Sequence, residues 1–191
     1  MLAKIQKLVQ LVQKKQYLRG LTKGVAAGIE HTYLTHLVDK LHTIIDVGAN
    51  KGQFSLFARV SFPGSIIFAF EPLKEPRAKY SQVFHLDDLT TLYPFAIGPN
   101  NQTTDINVSR HNDSSSILPI SDLQTKIFPR TEKVGIEEIE VRTLCEVLAL
   151  ADIKRPSLLK LDVQGFELEA LKGCESLIEN IDYLYLEVSF V

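Results

Sequence analysis

The chain has 191 residues, 45 % apolar and 23 % charged, with 21 Lys and Arg against 23 Asp and Glu for a formal net charge of −2. That length fits one domain able to hold a core without disulfide or metal, and the charge balance excludes a dedicated nucleic-acid binder with a basic face. The only cysteines, Cys145 and Cys174, exclude a disulfide-rich secreted scaffold and, lacking any paired Cys or His spacing, read as buried structural thiols.

Residues 1–24 carry Lys4, Lys7, Lys14, Lys15, Arg19 and Lys23, and no acid precedes Glu30. Leu2, Ile5, Leu8, Val9 and Val12 fall at helical spacing, which predicts a basic amphipathic helix ahead of a domain over 25–191. Such a helix either packs its stripe on the domain, the favoured reading, or lies on an anionic membrane surface. Gln10, Gln13 and the lysines interrupt the apolar run, so the segment does not read as a secretory signal, and no apolar run approaches the ~20 residues of a membrane span. The chain reads as cytoplasmic.

From Thr43 onward buried strands alternate with helices. Thr43–Val47 is a strand, Gln53–Val60 a helix broken by Pro63–Gly64, and Ser65–Phe70 a second strand. Glu75–Phe84 reads as helix, Thr91–Ala96 as strand, and Thr104–Val108 as a short extra strand. Residues 109–135 read as a long polar loop, a length more often functional than idle. Glu138–Arg142 is a strand, and Thr143–Ala149 a helix with Thr143 as N-cap. Ser157–Leu161 is a buried strand, Phe166–Leu171 a helix stopped at Lys172–Gly173, and Tyr183–Val188 the last strand. This order predicts a doubly wound, mostly parallel α/β sheet with ligands at the carboxyl ends of its strands.

Four strands end at or near an acid: Asp46, Glu71, Asp162 and Glu187. The loop Asp46-Val47-Gly48-Ala49-Asn50-Lys51-Gly52-Gln53-Phe54 is not a P-loop, and Asn50 stands where a dinucleotide fingerprint needs its second glycine. An acid at its entrance repels phosphate. S-adenosylmethionine suits it better, having no phosphate, a cationic sulfonium and ammonium, and a ribose diol. Asp46 supplies negative charge near the cationic part, Gly48 and Gly52 let the backbone approach, and Glu71 accepts the ribose hydroxyls. Asp162 is the first candidate for general base or for orienting an acceptor, although it could equally cap the following helix. His31 is a second candidate base, with His111 behind it, and Glu30, beside His31, could reach over the cofactor site. Ser114–Ser116 could touch the cofactor or the acceptor. Asp162 and Glu187 alone do not make a metal site.

These residues resemble the FkbM family of S-adenosylmethionine-dependent methyltransferases. The likeness lies in Ile45–Phe54, Phe70-Glu71-Pro72, Ser114-Ser115-Ser116 and the block Leu159-Lys160-Leu161-Asp162-Val163-Gln164-Gly165-Phe166-Glu167, continued to Gly173. Gly24–His31 also fits, so the likeness runs from about residue 24 to the end. It implies a class I, Rossmann-like methyltransferase acting in many members on sugar or natural-product hydroxyls. It implies that Asp46, Gly48 and Gly52 line the methionine and adenosine side, that Glu71 takes the ribose and that Asp162 faces the transferring methyl; the candidate cofactor set also takes in Asn50, Phe54, Pro72 and Ser115. The family often has Glu at the place of Gln164 and Asp at that of Cys145.

The class I fold normally continues past its fifth strand, so the sheet is expected to lack its last C-terminal strands. Tyr183–Val188 would then be an apolar edge. A fragment, a naturally short member with little activity, or a cover by a second copy of the chain or by the N-terminal helix would each account for this. The leading expectation is an O-methyltransferase acting on a glycan or small molecule. A non-catalytic S-adenosylmethionine-binding module is the alternative, and a nicotinamide enzyme is disfavoured by Asn50.

Overall fold

The computed structural model describes residues 14–110, 115–118 and 132–187. The apolar stripe of residues 2–12, His111, Ser114 and Val188 lie outside the described residues.

Five strands form one parallel sheet: β1 (Thr43–Val47), β2 (Ile66–Phe70), β3 (Thr90–Tyr93), β7 (Ser157–Leu161) and β8 (Tyr183–Leu186), in the order β3-β2-β1-β7-β8. β1 and β7 are buried along their whole length, as expected of central strands covered on both faces. The chain winds outward from β1 through β2 to β3, then returns to lay β7 on the other side of β1. The crevice above the β1–β7 junction is where such sheets bind ligands.

One face is covered by α1 (Lys15–Thr22), α3 (Gln53–Ser61) and α4 (Lys74–Phe84), the other by the short helices α5 (Leu144–Val147), α6 (Glu167–Lys172) and α7 (Glu175–Ile178). The first core gathers Ile44, Phe54, Phe57, Ile67 and Tyr80, and the second Ile45, Val47, Phe70, Leu159 and Ala170. Alternate β1 side chains thus feed opposite cores, each fully buried aliphatic contributing roughly 1.5–3 kcal/mol. A 3₁₀ turn (Ile29–Tyr33) and α2 (Leu34–Leu37) lead into β1. The described part of the N-terminal segment packs inward, burying Tyr17 and seating Gly20 so close to α3 that a Cβ would lie 2.4 Å from a Leu56 methyl carbon. The outer edge of β8 stays bare among the described residues, with Tyr183, Leu184 and Leu186 exposed.

A second sheet, β4-β6-β5, was not expected. It joins β4 (Ala96–Ile97), β5 (Gln102–Ser109) and β6 (Lys133–Arg142). The single strand expected over Thr91–Ala96 is two strands in two sheets. Pro94 falls at the break, lacking the N–H a continued ladder needs. β5 and β6 form a long antiparallel ribbon that exceeds the short strands expected there.

Two further expectations are corrected, and a third holds for a different reason. Thr143 precedes α5 but its side chain makes no capping bond, its hydroxyl lying 3.4 Å from Cys145 Sγ instead. Cys145 is exposed, because α5 turns it away from the core that Leu144 enters, whereas Cys174 is buried and donates to Ala170 O. Helix α6 does stop at Gly173, but with right-handed backbone. What requires glycine there is Gly98, whose carbonyl oxygen would lie 2.2 Å from a Cβ.

Candidate active site

The loop after β1 is built by three residues with left-handed backbone, Gly48 (φ +75), Asn50 (φ 48) and Gly52 (φ 92). The amides of Gly48 and Ala49 both donate to Phe70 O, at 3.0 and 2.9 Å, which ties the loop to the end of β2. A Cβ on Gly48 would lie 1.9 Å from Asp162 O, so glycine is required by the β7 end. At Gly52 a Cβ would press on the Tyr80 and Phe84 rings.

Glu71, one residue past β2, is buried, with each oxygen already holding a backbone amide. Oε2 accepts from Asn50 N at 2.9 Å and Oε1 from Leu73 N at 2.8 Å. Burial nevertheless pushes its carboxyl up to about 7, the two amides and the charges of Lys160 and Arg77 opposing it.

Asp46 and Lys160 are register partners on β1 and β7, and Lys160 Nζ lies 3.0 Å from Asp46 Oδ1. The other Asp46 oxygen accepts from Ser55 Oγ at 2.6 Å, and Tyr80 Oη donates to Ser55 Oγ at 2.9 Å. Lys160 also donates to Gly48 O at 2.9 Å and lies 5.7 Å from the Phe54 ring centroid. Burial pulls the Lys160 ammonium down, but the Asp46 and Asp162 charges outweigh it and the net shift is upward.

Past β7, Asp162 Oδ2 lies 3.5 Å from Lys160 Nζ, and Oδ1 accepts from Gln164 Nε2 at 2.8 Å. Gln164 has a positive φ of 54 and its carbonyl accepts from Ser116 Oγ at 2.7 Å. Glu167 Oε1 accepts from the amides of Val163 and Gly165, both at 3.1 Å, closing the turn. On the opposite side His31 Nδ1 lies 2.7 Å from Tyr185 Oη, and the ring packs on Phe54, Phe57 and Tyr185. Burial lowers His31, which favours the neutral imidazole.

These elements enclose a cavity of about 360 Å³ at the carboxyl ends of β1, β2, β7 and β8. His31, Gly48, Asn50, Phe54, Glu71, Pro72, Ser115 and Asp162 all line it. Asp46 and Gly52 do not. Asp46 is fully buried and bound to Lys160 and Ser55, and Gly52 packs beneath α4. Asp162 does not cap α6, whose N-cap makes no side-chain bond. Polar lining residues outside the expected site include Lys160, Gln53 and Gln164. A lysine inside an apolar strand was the available signal for the first. The cavity carries Glu30, Glu71, Asp162 and Glu187 against Lys160 alone, so it presents a surplus of negative charge. Among the described residues no group of three or more His, Cys, Asp or Glu is arranged to hold a metal, and no helix is long and apolar enough to cross a membrane.

A parallel doubly wound sheet with a glycine turn after β1 and an acid after β2 defines a Rossmann-like enzyme fold. The sequence profile of the Methyltransferase FkbM domain matches residues 46–191, and the chain belongs to that family. It is 26 % identical over 154 residues to Methyltransferase 1 of Beauveria bassiana, covering 72 % of this chain and 62 % of that protein. It is 24 % identical over 192 residues to the 2-O-methyltransferase NoeI of Sinorhizobium fredii, covering 95 % and 78 %. To the hexuronic acid methyltransferase AglP of Haloferax volcanii it is 25 % identical over 148 residues, covering 75 % and 54 %. The chain thus matches about three-fifths of the length of the first of these relatives.

Proposed function

We propose that the chain transfers a methyl group from S-adenosylmethionine to a hydroxyl of a sugar or small-molecule acceptor. The observation that carries this reading is Glu71, a buried carboxylate at the end of β2, fixed by two backbone amides on the cavity wall. Such a group is placed to accept a ribose diol. The residues fit this cofactor in two further respects. The surplus of carboxylates favours a cationic ligand over a pyrophosphate. Gln53 Oε1, buried without a hydrogen-bond partner among the described residues, belongs to a residue of the wall and is an acceptor awaiting a donor.

When bound, the cofactor supplies an electrophilic methyl group on a sulfonium. The chain's own work is to bind, orient and exclude water. Glu71 and the Gly48–Asn50 turn hold the nucleoside side, while Asp162, kept in place by Gln164 and Lys160, faces the acceptor side. A sugar hydroxyl as acceptor is supported by the relatives named 2-O-methyltransferase and hexuronic acid methyltransferase.

Calorimetric titration of the purified chain with S-adenosylhomocysteine tests the cofactor. The expected result is micromolar binding, weakened at least roughly tenfold in Glu71→Ala, which removes a charge-assisted bond. A folded chain that does not bind it rules the reading out.

A further inference from the structure

The cavity holds two carboxylates on its β7–β8 side, and they are not equivalent. Asp162 has both oxygens engaged, one by Gln164 Nε2 at 2.8 Å and the other by Lys160 at 3.5 Å. Glu187, one residue past β8, lines the same cavity, and its carboxylate makes no hydrogen bond or ion pair among the described residues. Its position is not left to a loose chain end, since its backbone N–H donates to Leu161 O at 3.0 Å and continues the β7–β8 ladder.

We propose that Glu187 is a catalytic residue, the general base that takes the proton of the acceptor hydroxyl, with Asp162 as the group that orients the acceptor. This rests on the O-methylation reading above. As the hydroxyl oxygen's lone pair forms the new C–O bond, the C–S bond breaks with its electrons left on a neutral thioether sulfur. The hydroxyl proton passes to Glu187, which releases it to solvent after product leaves.

Protonating Asp162 would cancel the charge that faces Lys160 and weaken the bond it accepts from Gln164, whereas protonating Glu187 breaks no such contact among the described residues. The charges facing Glu187 come from Asp162 at the end of β7, Lys160 within β7, Glu167 on α6 and Glu30 on the 3₁₀ turn. Asp162 is the largest influence and raises the Glu187 carboxyl above its ordinary value. Burial, Glu167 and Glu30 raise it too, and Lys160 opposes them. The upward shift makes Glu187 a stronger base at neutral pH than an ordinary carboxylate. His31 is less suited, with Nδ1 committed to Tyr185 and its Nε2 edge packed on Gly28.

The test uses the full chain saturated with S-adenosylhomocysteine and labelled with ¹³C at glutamate carboxyls. One resonance, identified by its loss in Glu187→Gln, is expected to titrate above the ordinary glutamate range and to move down in Asp162→Asn. An ordinary titration unmoved by Asp162→Asn would overturn the proposal. Labelled-methyl transfer is measured alongside, on the methyl glycosides of D-glucuronate, D-glucose and D-mannose. Glu187→Gln is expected to keep S-adenosylhomocysteine affinity within about threefold, lose roughly a hundredfold in transfer, and lose the acidic limb of the kcat/KM profile. Transfer within about fivefold of wild type in Glu187→Gln would also overturn it. A wild-type chain that binds S-adenosylhomocysteine yet methylates none of these hydroxyls overturns the base role together with the O-methylation reading. One that binds none overturns the cofactor reading.

Discussion

Lys160 and Asp46 sit side by side on adjacent central strands, 3.0 Å apart, the acid fully buried and the lysine 4 % exposed. The pair lies at the β1–β7 junction under the cavity, and the lysine reaches from there to Gly48 O and Asp162. A single cation therefore fixes the glycine turn and the acidic wall relative to each other.

Removing that cation leaves Asp46 buried with only Ser55 for a partner among the described residues. Lys160→Met is expected to cost about 3–5 kcal/mol in urea denaturation. Adding Asp46→Asn to it should recover part of the loss. Strict additivity of the two substitutions would show that the pair is not coupled.

Glu71 gives a pH signature. Its folded value of about 7 lies above the ordinary 4.5, so the folded chain holds a proton that the unfolded chain has lost between those values. The stability this contributes is fully present below pH 4.5 and is lost as pH rises through 7, an effect of about 3 kcal/mol. Thermal melts should therefore decline from pH 5 to 8, and Glu71→Gln should flatten that slope whatever its absolute Tm. In wild type, S-adenosylhomocysteine affinity should rise over the same interval, because the ionised carboxylate is the better acceptor for a diol.

Two glycine substitutions separate close approach from mere flexibility. Gly48→Ala meets Asp162 O at 1.9 Å with φ +75, and is expected to cost about 3 kcal/mol or more. Gly64→Ala meets nothing within 4 Å and has no positive φ, so its Tm should stay within a degree or two of wild type.

Much of this was legible in the sequence. Short β-branched runs bounded by glycine and acid gave the central strands, because a strand buried on both faces must be apolar throughout. The glycine turn and Glu71 were legible for the same reason, since each is tied to a strand end. The role of Asp46 was not. As a strand-end acid it reads as a ligand group, and only the register reveals that Lys160 faces it across β1 and β7. The second sheet was hidden because β5 and β6 are largely polar and pair mainly with one another, so neither carries a buried run. Gln164 was hidden because its left-handed backbone, which turns the amide toward Asp162, has no glycine or asparagine to announce it.

The junction that holds the cavity also sets when it can form. Val47 and Lys160 are 113 residues apart in the chain, yet their strands are neighbours. Closing so long a loop adds little to the equilibrium cost, which grows only with the logarithm of length, but non-local pairing slows the search for the folded state. β1, β2 and the glycine turn are close enough in the chain to assemble early, whereas the wall carrying Lys160, Asp162 and Glu187 must arrive from the far end. During synthesis the first 150 residues hold Asp46 without its cation. Ligand-binding competence in a refolding chain should accordingly lag behind burial of Phe57 and Tyr80, and appear together with the docking of β7.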